Sequence, residues 1–113
     1  MHEMSIALNI VESAELAARE NHAHRITRID LEIGELAGVL LDALNFSLEV
    51  ATQNTLAATA QINIDQIKGS ARCRNCGKTF HLTELWAVCP HCDDFQYEIL
   101  AGKVLKIKTI DIE

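Results

Sequence analysis

The most specific chemistry in this 113-residue chain belongs to four cysteines, Cys73, Cys76, Cys89 and Cys92, in the window CRNCGKTFHLTELWAVCPHC. They form two Cys-x-x-Cys pairs with twelve residues between them, and the chain has no other cysteine. In each pair the first thiolate, a tight turn and the second thiolate can wrap one side of an ion. Two such pairs supply the four sulfurs of a structural tetrahedral zinc site. A closed four-sulfur shell leaves no open position for a substrate water, which weighs against a zinc hydrolase. His81 and His91 are the nearest alternative donors, and they read as surface or supporting histidines.

The start, MHEMSIALNIVESAE, has no basic leader or cleavage site, and no apolar run approaches the ~20 residues of a membrane span. The expectation is a cytoplasmic protein with no membrane association. In that reducing compartment paired cysteines hold metal rather than form disulfides. Formal charge is −6, and four thiolates around one dication make it more negative, which argues against nucleic acid as a partner. Lys68, Arg72, Arg74 and Lys78 cluster just before and inside the cysteine window. They read as a basic rim offsetting the thiolates. The alternative they raise is a nucleic-acid-binding zinc ribbon, which an aromatic content of 4% disfavours.

The elements that must position these residues follow from the periodicity. Residues 4–20 read as a helix, with Met4, Leu8, Val11, Ala14 and Ala18 on one stripe and Ile6, Ile10 and Ala17 widening it. It should end near Asn21–His24, where His22 and His24 complement the helix dipole. From Ile26 the period becomes two: Ile29, Leu31 and Ile33 alternate with Arg28, Asp30 and Glu32 in a half-buried strand closed by Gly34. A second helix spans 41–53, with Asp42 in its first turn and Asn54 as a left-handed stop. A strand over 60–67, the cysteine module, and the strand-like ending VLKIKTIDIE complete the chain. The apolar parity of that ending slips between Ile107 and Ile110, as a bulge or two-sided burial would produce.

The resulting fold class is α/β (α+β): a small three-stranded sheet with two helices, plus an inserted four-cysteine zinc-ribbon-like module. The strands on either side of the module could pair in one sheet. The domain expectation is 1–69 with 102–113 for the α/β domain, and 70–101 for the zinc-binding domain. Beyond Phe80, Leu82, Leu85, Trp86 and Val88 the module has few large apolar side chains. It should therefore depend on its ion, and structural zinc stabilises small peptides by ~10–16 kcal/mol.

Met1-His2-Glu3 offers a second kind of metal chemistry. An N-terminal amine and the imidazole at position two can chelate one ion, and the His2 amide can join them if deprotonated. Such nitrogen donors in fused rings suit square-planar or tetragonal Ni(II) or Cu(II). Glu3 adds a carboxylate or its amide. From spacing alone, the favoured reading of His2 is one more residue of a frayed terminus.

Taken together, MHEMS, RITRIDLEIGELAGV, FSLEVATQNT, the double knuckle and LKIKTIDIE resemble the HypA/HybF family, end to end. These are hydrogenase maturation nickel metallochaperones. The resemblance implies a carrier rather than an enzyme, with transient Ni(II) cargo on His2, the Met1 amine and Glu3, and structural Zn(II) on the four cysteines. The partners it implies are a HypB-type maturation GTPase, the large subunit of NiFe-hydrogenase and, in some members, urease maturation factors. The expected state is a monomer or weak homodimer. Two departures stand out. Leu40 and Leu41 precede Asp42 where relatives often carry an acid, and Asn54 replaces a usual glycine.

Overall fold

Helix α1 (Glu3–Glu20) opens at His2, whose carbonyl accepts the Ile6 N–H at 3.0 Å. The computed structural model describes residues 2–113. The buried face of α1 is Ala7, Ile10, Val11, Ala14 and Ala18. That face is turned from the expected stripe, because Met4 and Leu8 are 38% and 52% exposed. Three of the five buried residues are alanines, which let the helix backbone approach its neighbours closely. The larger residues flank that approach. The helix ends as its sequence suggests: Asn21 caps it, the Ala23 N–H reaches the Ala18 carbonyl, and His22 turns the chain at φ 58°.

Strand β1 (Ile26–Gly34) is the most buried strand, with Ile26, Ile29, Leu31 and Ile33 at 2% exposure or less. Helix α2 (Leu41–Ala51) buries Leu44, Ser47 and Leu48, and Asn54 stands beyond it at φ 62°, the left-handed turn expected of that residue. Strands β2 (Gln61–Ile67) and β6 (Leu105–Ile112) lie on either side of β1, in the order β2-β1-β6. The two strands that flank the cysteine module thus share a sheet without being neighbours. The apolar β1 takes the doubly covered centre and the more polar strands take the edges. In β6 only Ile107 and Ile110 are half-buried among otherwise exposed residues, so the slipped parity marks two inward positions three apart.

Between β2 and β6 the chain forms β3 (Ser70–Cys73), β4 (Thr79–His81) and β5 (Tyr97–Ala101), a second sheet ordered β4-β3-β5. The pairing places Ala71 opposite Phe80 and Ile99, and Cys73 opposite Tyr97, on one face. That face carries the module's core: Leu36, Ala71, Cys73, Phe80, Leu82 and Cys89, with the Phe80 and Tyr97 rings edge to face at 5.5 Å. Leu85, Trp86 and Val88 are exposed instead, Trp86 by 78%. Leu36, from outside the window, and the cysteines themselves fill the space.

The chain separates into two compact units. One comprises Met1–Leu31, Val39–Ile64 and Ile107–Glu113; the other comprises Glu32–Gly38 and Asp65–Lys106. Within the second unit three glycines meet. A Cβ on Gly34 would lie 1.8 Å from the Gly102 carbonyl oxygen, and one on Gly69 would lie 1.9 Å from that of Leu82. Only hydrogen fits at either position.

In the first unit Asp30 links all three strands: its carboxylate accepts from Arg28 Nε at 2.9 Å, Asn63 Nδ2 at 2.9 Å and Thr109 Oγ1 at 2.7 Å. These donors, Arg28 foremost, hold its carboxyl far below the usual range. A depressed carboxyl stabilises the fold above its unfolded value of ~3.9 and loses that contribution as pH falls through the lower folded value. Asp30→Ala is therefore expected to lower urea resistance at neutral pH. The gap from wild type should narrow as the pH drops below ~4. A pH-independent gap would show that the charge of Asp30 does not matter.

Candidate metal sites

The four cysteine sulfurs converge: all lie within 4.8 Å of one another. Cys73 and Cys92 Sγ are 3.5 Å apart, and Cys76 and Cys89 Sγ are 3.7 Å apart. A tetrahedron with metal–sulfur bonds of ~2.3 Å has edges of ~3.8 Å, so these separations already match a four-sulfur shell. Among the described residues this is the group of three or more His, Cys, Asp or Glu side chains whose donor atoms meet.

Each ligand is set by its local turn. Cys73 ends β3, and the N–H groups of Asn75 and Cys76 fold back onto its sulfur at 3.4 Å each. Gly77, at φ 77°, makes the turn possible, and its N–H reaches the Cys73 carbonyl at 3.0 Å. The second knuckle repeats the device: the His91 N–H donates to Cys89 Sγ at 3.4 Å, and the Asp93 N–H donates to the Cys89 carbonyl at 2.8 Å. Cys73 and Cys89 are buried, while Cys76 is exposed. The shell is thus anchored in the core on one side and faces solvent on the other.

The electrostatics call for a cation. The Asn75 side chain, 3.6 Å from Cys92 Sγ, and then the Asp94 backbone bring the Cys92 thiol down to about 7. Cys76 receives help from the Lys78 N–H, but lost hydration and the three neighbouring sulfurs outweigh it and push that thiol up to about 11. Four thiols this close cannot all ionise by themselves, and a bound dication reverses that balance.

The histidines near the window have other duties. His81 Nε2 lies 2.6 Å from Glu35 Oε1, and the Gly69 N–H donates to the same oxygen at 2.8 Å. His81 first, then Gly69, holds the Glu35 carboxyl below its ordinary value. The side chain of His91 is exposed, and its backbone supports Cys89. Glu35, Asn75 and Leu36 are supporting residues that the sequence did not single out. Only Asn75 carried a local signal, its place inside a knuckle. The four basic residues, Lys68, Arg72, Arg74 and Lys78, are all exposed.

At the other candidate site, His2 is the N-cap residue of α1 and its side chain makes no capping bond. Its imidazole is exposed. Glu3 is half-buried, and its Oε2 accepts the Leu40 N–H at 3.2 Å. That bond is the chief reason its carboxyl lies below the usual range. Leu40 is itself 70% exposed, and it contributes a backbone donor and no acid. Met1, expected to supply an amine, lies outside the described residues. His22 and His24 are exposed near the end of α1.

A family model described as "Hydrogenase/urease nickel incorporation, metallochaperone, hypA" matches residues 1–112. The chain is 41% identical over 113 residues to the hydrogenase maturation factor HypA of Chlorobaculum tepidum, with all of both chains covered. It is 39% identical to that of Geobacter sulfurreducens, again with full coverage of both. Its fold matches the solution structure of the Ni metallochaperone HypA from Helicobacter pylori with a TM-score of 0.68 at 24% identity. That match covers 99% of this chain and 97% of the other.

Since two of the four sulfurs belong to the module's buried core, removing their ion should unfold it. Chelation of the purified protein, or Cys89→Ala, is expected to abolish the near-ultraviolet circular dichroism of the Phe80–Tyr97 pair and release one metal equivalent. Retention of that signal in metal-free protein would refute the dependence. Trp86 fluorescence is a poor reporter, because its ring is already mostly in water.

Proposed function

The chain belongs to the HypA family of hydrogenase/urease nickel-incorporation metallochaperones, carriers rather than enzymes, and from that premise we propose that it loads Ni(II) at its N-terminus. It then delivers the ion to the large subunit of a NiFe-hydrogenase. A HypB-type GTPase is the expected partner, and urease maturation factors are further candidates. Zn(II) is the ion proposed for Cys73, Cys76, Cys89 and Cys92, since a closed four-thiolate tetrahedron suits its size, softness and lack of geometric preference.

The observation that carries the nickel reading is the state of His2. It caps α1 through its carbonyl alone, which leaves the imidazole exposed and uncommitted. The first N–H groups of any helix have no partner within it. The amide nitrogens of His2 and Glu3 can therefore lose their protons to a metal without breaking a helical hydrogen bond. A dication at the positive end of a helix is otherwise disfavoured. Deprotonated amides and the Glu3 carboxylate supply the compensating negative charge.

Transfer requires ligands that bind selectively yet let go, and a few nitrogens in the first turn of one helix meet that need better than a closed cage. An imidazole and an α-amine titrate near ~6.5 and ~7.7–8.0, so protons compete with the ion around neutrality. Ni(II) affinity is expected to fall steeply from pH 8 to pH 6, because every proton released on binding, from the imidazole, the amine and each amide that ligates, contributes up to about tenfold per pH unit. His2→Ala should bind at least ten times more weakly at pH 7.5 while keeping its zinc. Calorimetric titration of the two proteins at several pH values, with metal analysis, decides this. Equal affinity in both would sink the assignment.

A further inference from the structure

One stretch of the second unit turns its apolar side chains outward. Leu85, Trp86, Val88 and Phe95 are 52%, 78%, 45% and 75% exposed, and Trp86 is the chain's one tryptophan. Backbone bonds gather these four residues together. The Ala87 N–H closes a turn onto the Glu84 carbonyl at 3.1 Å, and the Tyr97 hydroxyl donates to the Leu85 carbonyl at 2.7 Å. The turn is thereby held against the start of β5, two residues from Phe95. The Cys89 N–H donates to the Asp94 carbonyl at 2.8 Å, which sets the residue after Val88 beside the residue before Phe95. An apolar patch on a fixed frame with a charged rim marks an interaction surface, and tryptophan is among the residues that dominate binding at such surfaces.

The charge around the patch selects its occupant. From Thr79 to Gly102 the chain has no Lys or Arg and carries Glu84, Asp93, Asp94 and Glu98. Arg72 stands opposite Glu98 across the β3–β5 pairing. Among the described residues, Glu84, Asp93 and Asp94 take part in no ion pair. Four thiolates around one dication add charge of the same sign. A nucleic acid or an anionic lipid surface is repelled here. A second copy, packed patch to patch about a two-fold axis, would bring the same acids of both copies together.

We propose that Leu85, Trp86, Val88 and Phe95 form a docking surface for an arginine-bearing, apolar segment of a partner protein. Its guanidinium groups stack on the rings of Trp86 and Phe95 and pair with the neighbouring carboxylates, and its aliphatic side chains cover Leu85 and Val88. The inference stands on the second unit alone, so it succeeds or fails separately from the nickel assignment at His2.

Trp86 reports on the proposal directly, because a ring that starts mostly in water shifts its emission to the blue when a partner covers it. The probes are a short synthetic peptide of Arg and Leu, free of Trp and Tyr, and its counterpart with Glu in place of Arg. Each is titrated into the zinc-loaded full chain. The Arg peptide should shift Trp86 emission to the blue, shield the ring from acrylamide, and bind about tenfold more weakly at high salt. The Glu peptide should do none of these. Phe95→Ala keeps the reporter and should weaken binding about fivefold. Glu84→Gln combined with Asp93→Asn should weaken it and flatten its salt dependence. Phe46→Ala, which removes another exposed aromatic ring from α2 in the first unit, should bind as wild type does.

The proposal is overturned if the Glu peptide acts as the Arg peptide does, if Phe46→Ala loses as much as Phe95→Ala, or if neither peptide moves Trp86 emission. Sedimentation of the protein alone supplies the remaining arm: self-association that shifts Trp86 to the blue makes the occupant a second copy and overturns it too. Zinc content and near-ultraviolet circular dichroism check the fold of each variant. Should Phe95→Ala fail that check, Leu85→Ala in the exposed turn replaces it.

Discussion

Four sulfurs held within 4.8 Å of one another are the constraint on which the second unit depends. As thiols they fill space poorly, and as thiolates they repel. Either way the module gains little from them until a cation sits among them. The sequence compensates nowhere else. The unit's buried side chains are few, two of them are ligand cysteines, and its largest apolar residue, Trp86, points into water. In the proposed reading the knuckle turns, the short β4-β3-β5 sheet and the edge-to-face Phe80–Tyr97 pair all depend on one coordination event. Glycines 34, 69 and 102, packed backbone to backbone, let the chain segments of this unit approach closely enough to share that core.

In the proposed reading the two metals are handled by opposite physics. The structural ion is surrounded by soft anionic donors, supported by N–H···S bonds from Asn75, Cys76 and His91, and partly buried. All of this favours permanence. The cargo ion would meet an exposed imidazole and amide nitrogens on the first turn of α1. There protons compete with it and solvent has access. A helix N-terminus is an uncommon place for a cation, because its dipole points the wrong way. The same feature makes a removable site: binding depends on charges that must first be created by deprotonation, and it weakens as they are restored.

Carboxylates tie the elements of the first unit together. Asp30 joins the three strands through Arg28, Asn63 and Thr109, Glu15 holds the chain after α2, and Glu3 holds its beginning. Each is an acid satisfying donors on a neighbouring element rather than standing free in solvent. This accounts for part of the chain's acidic excess without invoking a cationic partner. Leu40 fits the same scheme. What the position contributes here is its N–H.

What the sequence determined by itself was local. Ligand spacing in a knuckle is fixed by one tight turn, the 3.6- and two-residue periods by backbone geometry, and the left-handed turn at Asn54, three residues past the end of α2, by a single residue's tolerance of positive φ. The convergence of the four cysteines, both helices and all three strands of the first sheet were legible for that reason. The tertiary structure decided what depends on partners distant in the chain. It selected the alanine-rich flank of α1 for burial over Met4 and Leu8, because helix packing rewards close approach as well as hydrophobicity. It set β1 between β2 and β6, since the most apolar strand gains most from being covered on both sides. It brought Leu36 into the cysteine core and left Trp86 outside. It also joined Glu3 to Leu40 across thirty-seven positions of sequence, a pairing that no local period encodes.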